Sequence, residues 1–232
     1  MRAELSVVIP TLNAGRGLPP CLAALMEGVE AGVIREVIMT DGGSGDATGL
    51  IAEEAGAVWL SGPAGRGGQI ARGVDRAQGS WILILHADTE LLPGWVAPVA
   101  DHLAGSPMVA GYGRLAFDRG GLPARIVAGW ANLRSRLFGL PYGDQGLLVS
   151  ARLLEEQGGF PDLPLMEDVA IARALRGRLI PLDFTARTDA GKYETEGWFR
   201  RGRRNLWTLC RYLCGVSPER LAQDYRRSGR RT

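Results

Sequence analysis

The stretch Trp81-Ile82-Leu83-Ile84-Leu85 is unbroken apolar sequence, and it ends at once in His86-Ala87-Asp88-Thr89. A run of this length without polar alternation reads as a strand covered on both faces, as in a parallel sheet between two helix layers. That requirement constrains the fold more than any other feature of the chain. It also puts Asp88 at the C-terminal edge of the sheet, where open α/β folds bind ligands. A carboxylate there has two readings. It is a divalent-metal ligand beside a phosphate, or a turn residue that caps a following helix.

The flanking sequence supplies the partners. Residues 5–10, 35–40, 57–60 and 81–86 read as strands. Residues 17–30, 46–55 and 69–78 read as the helices between them, with Leu22, Leu25, Met26 and Val29 on one face of the first. Such alternation implies a parallel sheet with right-handed crossovers. The second half is less regular. Strands are expected at 108–117, 146–150 and 179–184, and helices at 93–104, 122–138, 151–157, 167–176, 196–214 and 218–227. With 232 residues and no low-complexity linker, the chain reads as one domain over 1–195 with a basic helical extension, 196–232, packed on it.

Charge is uneven. Residues 198–232 hold ten Arg against Glu219 and Asp224, so the tail carries +8 and the rest of the chain −6. The tail helix places Leu206, Trp207, Leu209, Cys210 and Leu213 on one stripe, with Arg200, Arg201, Arg203, Arg204 and Arg211 largely elsewhere. This composition suits a helix at a membrane interface, and equally a helix packed on the sheet with a basic outer face. Packing is the expectation, with peripheral membrane contact as the alternative. Nucleic acid is not expected, because aromatic and basic residues interleave only over 193–212. No stretch is long enough to span a bilayer, and no signal-peptide pattern is present. Cys21, Cys210 and Cys214 lack metal-ligand spacing and read as thiols of a reducing compartment. A cytoplasmic location is expected, with the inner membrane face reached only through the tail.

Each early strand ends in polar residues: Pro10-Thr11-Leu12-Asn13, then Asp41-Gly42-Gly43-Ser44-Gly45-Asp46, then His86-Ala87-Asp88. In a parallel sheet these ends are neighbours. Asp41 can accept from a base or ribose hydroxyl, while Asp46 reads as a helix-start residue. Gly65-Arg66-Gly67-Gly68-Gln69 precedes a helix, where Arg66 and the helix start suit a phosphate. The spacings of dinucleotide and P-loop motifs are absent. Later clusters, Asp144-Gln145 and Glu167-Asp168, add carboxylates; Glu167 and Asp168 in a first helical turn either complement the helix dipole or take a proton from an acceptor hydroxyl.

Taken in order, these pieces resemble a glycosyltransferase of family 2 with the GT-A fold. The match runs through L-S-V-V-I-P-T-L-N (5–13), D-G-G-S-G-D-A-T (41–48), L-H-A-D-T (85–89), G-D-Q-G (143–146) and M-E-D (166–168). It is similar to a compact bacterial subgroup. The resemblance implies a mostly parallel, Rossmann-like sheet flanked by helices and an inverting transfer of sugar from a nucleoside-diphosphate sugar, UDP-linked by preference. The acceptor would be a hydroxyl, lipid-linked acceptors included. It further implies that Pro10, Thr11, Asn13, Asp41, Arg66, Gln69 and Lys192 border the nucleotide. Asp88 with His86 would hold Mg²⁺ or Mn²⁺, Asp168 would be the base, and Asp144, Gln145 and Glu167 would shape the acceptor side. The chain departs from the family pattern at Ala14, at Gly42 and at His86, where a Glu, an Asp and an Asp are usual. The thinned acidic motifs leave a non-catalytic nucleotide-sugar-binding module as the alternative.

Overall fold

A computed structural model describes residues 3–229, with side chains as far as Tyr225. In chain order the first half comprises β1 (Leu5–Thr11), α1 (Leu18–Glu30), β2 (Ile34–Asp41), α2 (Thr48–Glu54), β3 (Val58–Ser61), α3 (Arg66–Arg76) and β4 (Trp81–Ile84). The second half comprises β5 (Thr89–Leu91), α4 (Val96–Leu103), β6 (Ala110–Phe117), α5 (Gly121–Phe138), β7 (Leu147–Ser150), α6 (Ala151–Glu156), α7 (Glu167–Ala174), β8 (Leu179–Thr188), α8 (Gly191–Glu196), α9 (Trp198–Leu213) and α10 (Pro218–Gly229). One sheet runs β3-β2-β1-β4-β7-β6-β8-β5. Its first four strands are parallel, β7 is antiparallel to β4 and β6, and β5 is antiparallel to β8.

The central run is covered on both faces, as its composition demands. Leu83 and Leu85 enter one apolar layer with Val7, Ile9, Leu25 and Trp95, while Ile82 and Ile84 enter the other with Val8, Ile70 and Leu153. Each fully buried side chain of this kind contributes on the order of 1.5–3 kcal/mol. The run stops being strand at Ile84 rather than at His86. There the pairing with β7 ends, in register Ile84 with Leu147. The chain then turns, closed by the Thr89 N–H donating to the His86 carbonyl at 3.0 Å. It leaves along β5, a strand that local periodicity does not announce.

Two helices differ from the sequence expectation for steric reasons. On α1 the buried side is Leu18, Cys21, Leu25 and Gly28, while Met26 and Val29 are about half exposed. Gly28 turns the helix this way because Trp95 rests on it. A Cβ at Gly28 would lie 2.6 Å from the indole. Helix α3 begins at Arg66, not Gln69. Its glycines are a packing device: a Cβ on Gly67 would lie 2.5 Å from both the N and O of Leu163. The loop before α7 therefore lies directly on the first turn of α3.

The helix expected over 196–214 is present as α9, starting after Gly197, whose φ is 86°, and the short α8 before it was not expected. The sides of α9 are also reversed from expectation. Only Leu209 of the expected stripe is buried, while Leu206, Trp207, Cys210 and Leu213 are exposed. Arg201 and Arg204 instead point inward to Glu196, at 2.6 and 2.5 Å, and Arg211 pairs with Asp224 at 2.9 Å. The Arg226 and Arg227 side chains, and Arg230 and Arg231, lie outside the described residues. Among the described residues no helix is long and apolar enough to cross a membrane.

Candidate active site

The carboxyl ends of β2, β1 and β4 lie side by side, with Thr11 in register with Asp41. The polar groups there fall into two sets. The first is an internally bonded scaffold. Asp41 is buried, and both its oxygens are engaged. Oδ2 accepts from the Gly43 and Ser44 N–H groups at 2.7 Å, and Oδ1 accepts from the Ser44 hydroxyl at 2.5 Å and from Thr11 Oγ1 at 3.2 Å. Burial alone would raise its pKa; the Ser44, Gly43 and Thr11 donors outweigh that and hold it below the usual carboxylate range. Asn13 takes a left-handed backbone, φ 49°, and ties the two loops together. Its N–H donates to Ser44 Oγ at 2.8 Å, and its Oδ1 accepts from the Gly45 N–H at 2.9 Å.

Gln69, expected to border the nucleotide, is part of the same scaffold. Its Nε2 donates to the carbonyls of Thr11 (2.7 Å) and Thr40 (2.6 Å), and its Oε1 accepts from the Gly65 N–H at 3.2 Å. The buried amide thus clamps the ends of β1 and β2 to α3. Asp41, expected to border the nucleoside, stands at the same strand end with its oxygens bonded within the scaffold. Pro10 is half-buried and brings no N–H. Asp46 is structural as expected, accepting from the Gly15 and Thr48 N–H groups at 3.0 Å.

The second set surrounds an open cleft lined by Arg66, His86, Asp88, Asp144, Asp168 and Lys192. Asp88 also borders a second cleft on its other side, beside Arg16 and Glu90. It is 38% exposed, and its Oδ2 stands 3.9 Å from Nζ of Lys192, the chain's single lysine. His86 points into the first cleft against Gly143, where a Cβ would lie 2.4 Å from its Nε2. Burial first, then the Arg66 charge, push its imidazole down to about 3; Asp168 pulls it up, and Lys192 adds a smaller push down. The neutral imidazole is thereby favoured, with a lone pair or an N–H to offer.

Asp168 comes from the first turn of α7, aimed by Met166, a non-glycine residue at φ 65°. Bulky residues adopt that region only when the surroundings impose it, and such positions cluster at functional sites. One Asp168 oxygen accepts from the Gly143 N–H at 3.1 Å and the other from the Val169 N–H at 2.8 Å. Each bond leaves a lone pair free. Glu167, beside it, is buried and faces away to an ion pair with Nε of Arg66, which joins α7 to the first residue of α3. Glu167, expected to shape the acceptor side, is a brace between α7 and α3, and Arg66 reaches the cleft with its Nε already engaged. Glu167 has its pKa raised by burial, against the pull of Arg66.

Asp144 sits on a short 3-10 turn, Gly143–Gln145, with its Oδ1 buried and unpartnered. Burial is the largest cause of its raised pKa; with the Asp168 and Asp88 carboxylates it outweighs Arg134 and Arg66 and carries the group to about 6. Its neighbour Gln145 is fully buried and bonds Ser135 Oγ at 2.6 Å and the Gly113 carbonyl at 3.0 Å. Gln145, expected on the acceptor side, is therefore also a scaffold amide. Cleft residues that sequence reasoning missed are Tyr142, stacked under the Arg134 guanidinium at 3.4 Å, and Arg201, Asn205 and Thr208 of α9. The tail helix carried no local signal for this, because its arginines read as an outer face.

Among the described residues, no three His, Cys, Asp or Glu side chains converge as a ready-made metal site. One accessible carboxylate and a neutral imidazole do fit an ion that arrives with a diphosphate. Mg²⁺ and Mn²⁺ are commonly held by one or two carboxylates, with phosphate and water completing the shell.

The open α/β sheet, with its carboxylates gathered at the carboxyl edge beside β4, is the GT-A class of fold. The chain belongs to glycosyl transferase family 2, whose sequence profile matches residues 6–141, more than half of its length. TarS of S. aureus is similar in structure, with a TM-score of 0.61 and 17% identity over 89% of this chain and 39% of TarS. Residues 1–349 of TarS have been solved with UDP-GlcNAc (TM-score 0.57, 17% identity, 80% and 58% covered). Glucosyl-3-phosphoglycerate synthase of Mycobacterium tuberculosis, solved with Mn²⁺ and UDP-glucose, is similar at a TM-score of 0.57 and 20% identity over 80% and 69% of the two chains. The chain thus spans about two fifths of the solved TarS chain. At these identities the likeness is one of fold. No curated protein matches the chain.

Proposed function

We propose that the chain transfers a sugar from a nucleoside-diphosphate sugar, a UDP-sugar by preference, to an acceptor hydroxyl with inversion at the anomeric carbon. The observation that carries this is the meeting of Asp88 and Asp168 at one cleft, from segments 80 residues apart in sequence, in a family 2 chain. In the step, the acceptor oxygen bonds to the anomeric carbon and its proton passes to Asp168. The bond from that carbon to the diphosphate breaks, and the electron pair leaves with the nucleoside diphosphate. A carboxylate placed this way contributes typically about 10²–10⁴-fold. Asp88, with His86 beside it, would hold a divalent ion whose chemistry is to neutralise the leaving diphosphate. Lys192 and Arg66 add positive charge at the same edge.

Thr11, Asn13 and Asp41 set the shape of the nucleoside side through the loops they brace. Asp144 holds the acceptor side. Residues 1–195 form the catalytic unit in this reading, and the extension from 196 supplies one wall of its cleft through Arg201, Asn205 and Thr208. The complexes of similar folds with UDP-GlcNAc, and with Mn²⁺ and UDP-glucose, support the donor class.

A thermal-shift screen of nucleotide sugars with and without Mn²⁺ tests the reading. A true donor at a hundredfold excess over its Kd should stabilise the fold by roughly 2.7 kcal/mol. The shift should need the metal and favour uridine. No shift and no donor hydrolysis with any nucleotide sugar would overturn the proposal. A shift without hydrolysis would favour a non-catalytic binding module.

A further inference from the structure

Of the fifteen large apolar side chains exposed among the described residues, ten lie on α5 and α9, which pack against each other. On α5 the arrangement is the reverse of a core helix. Small residues, Ala128 and Ala131, pack on Leu115 of the sheet and Ala124 is buried, while Leu122, Ile126, Trp130, Leu133 and Leu137 form an outward stripe at helical spacing. On α9 the outward residues are Phe199, Leu206, Trp207 and Leu213, with the inward side lining the candidate active site through Arg201, Asn205 and Thr208. Neither helix carries a carboxylate, and Arg125, Arg136, Arg200 and Arg203 are exposed on them.

We infer that α5 and α9 together form a platform that docks on an anionic lipid bilayer. Large aliphatic and aromatic side chains interspersed with arginine, on helices not long and apolar enough to span, are the composition of elements that lie in the membrane interface. The two tryptophans suit the headgroup level, and the uncompensated arginines suit anionic lipid. The same charge disfavours a second copy of the chain as the occupant. A two-fold interface would set arginine against arginine, with no acid on either helix to answer it. The inference does not depend on the transferase reading, since it concerns the outer surface of α9 and not the cleft.

The test is flotation of the full chain at low salt with vesicles of phosphatidylcholine alone or mixed with phosphatidylglycerol, beside light-scattering mass measurement without lipid. The double variant Ile126→Glu, Trp207→Glu changes two exposed positions, and its unfolding midpoint is compared with wild type to show that the fold is kept. The account expects a monomer that floats with phosphatidylglycerol vesicles, at least about tenfold better than with phosphatidylcholine alone, and a loss of about tenfold or more in the variant. Failure to float with anionic vesicles overturns it. So does undiminished flotation of the folded variant, which would move the contact elsewhere. A lipid-free dimer that the double variant splits would overturn it in favour of self-association.

Discussion

Replacing Asp144 by Asn should stabilise the protein at alkaline pH while harming its chemistry. In the metal-free chain this carboxyl titrates at about 6, against 3.8 for a free side chain. A folded-state pKa raised above the unfolded value means that the native state binds the proton more tightly. The penalty is then absent below about pH 4, grows between about pH 4 and 6, and is complete above. A shift of roughly two units corresponds to roughly 3 kcal/mol, and the half-buried position reduces this to about 2 kcal/mol. Asn keeps the shape and never charges. Urea unfolding of both proteins in EDTA should show Asp144→Asn ahead by about 2 kcal/mol at about pH 8 and level at about pH 4. In a chain of 232 residues that advantage is about 4–8 °C in Tm. Groups common to both proteins cancel in the comparison. An advantage independent of pH, or a variant less stable at pH 8, would refute the reasoning.

Three further outcomes follow from the cleft. Gly143→Ala drives a Cβ to 2.4 Å from His86 Nε2, so it should cost about 1–3 kcal/mol in urea unfolding and lower turnover as well. Mn²⁺ alone should give no calorimetric binding, while Mn²⁺ with UDP should bind, and Asp88→Ala should lose that metal-dependent binding with its unfolding midpoint unchanged. Arg66→Met strands buried Glu167 and should destabilise by about 3 kcal/mol at neutral pH. Adding Glu167→Leu should recover most of this, and a double-mutant cycle without coupling would count against the brace.

The sequence carried the half of the fold that rests on local pattern. An apolar run ending in a polar residue marks both a doubly covered strand and its ligand-facing end, so Asp88 could be placed from its neighbours alone. The second half rests on pairings between distant segments. Thr89–Leu91 is a strand only because Ala186–Thr188 lies beside it. Glu167 is a brace only because Arg66 meets it from 101 residues away. For Gln69 and Gln145, nothing local distinguishes an amide that contacts a ligand from one that bonds backbone carbonyls. The reversal of α9 has the same origin. Its inward arginines are explained by Glu196, on the far side of a glycine break that the pattern had run through.

The central claim is that Asp168 accepts the proton of the attacking hydroxyl. The most direct measurement is single-turnover transfer by Asp168→Asn, run beside donor and metal binding of the same protein. Asn keeps the side-chain shape and removes the base. The account predicts a loss of at least about a hundredfold in the transfer rate, with the Kd for the donor and its metal nearly unchanged. Near wild-type transfer by the Asn variant would contradict it, and the base would then have to be sought at Asp144.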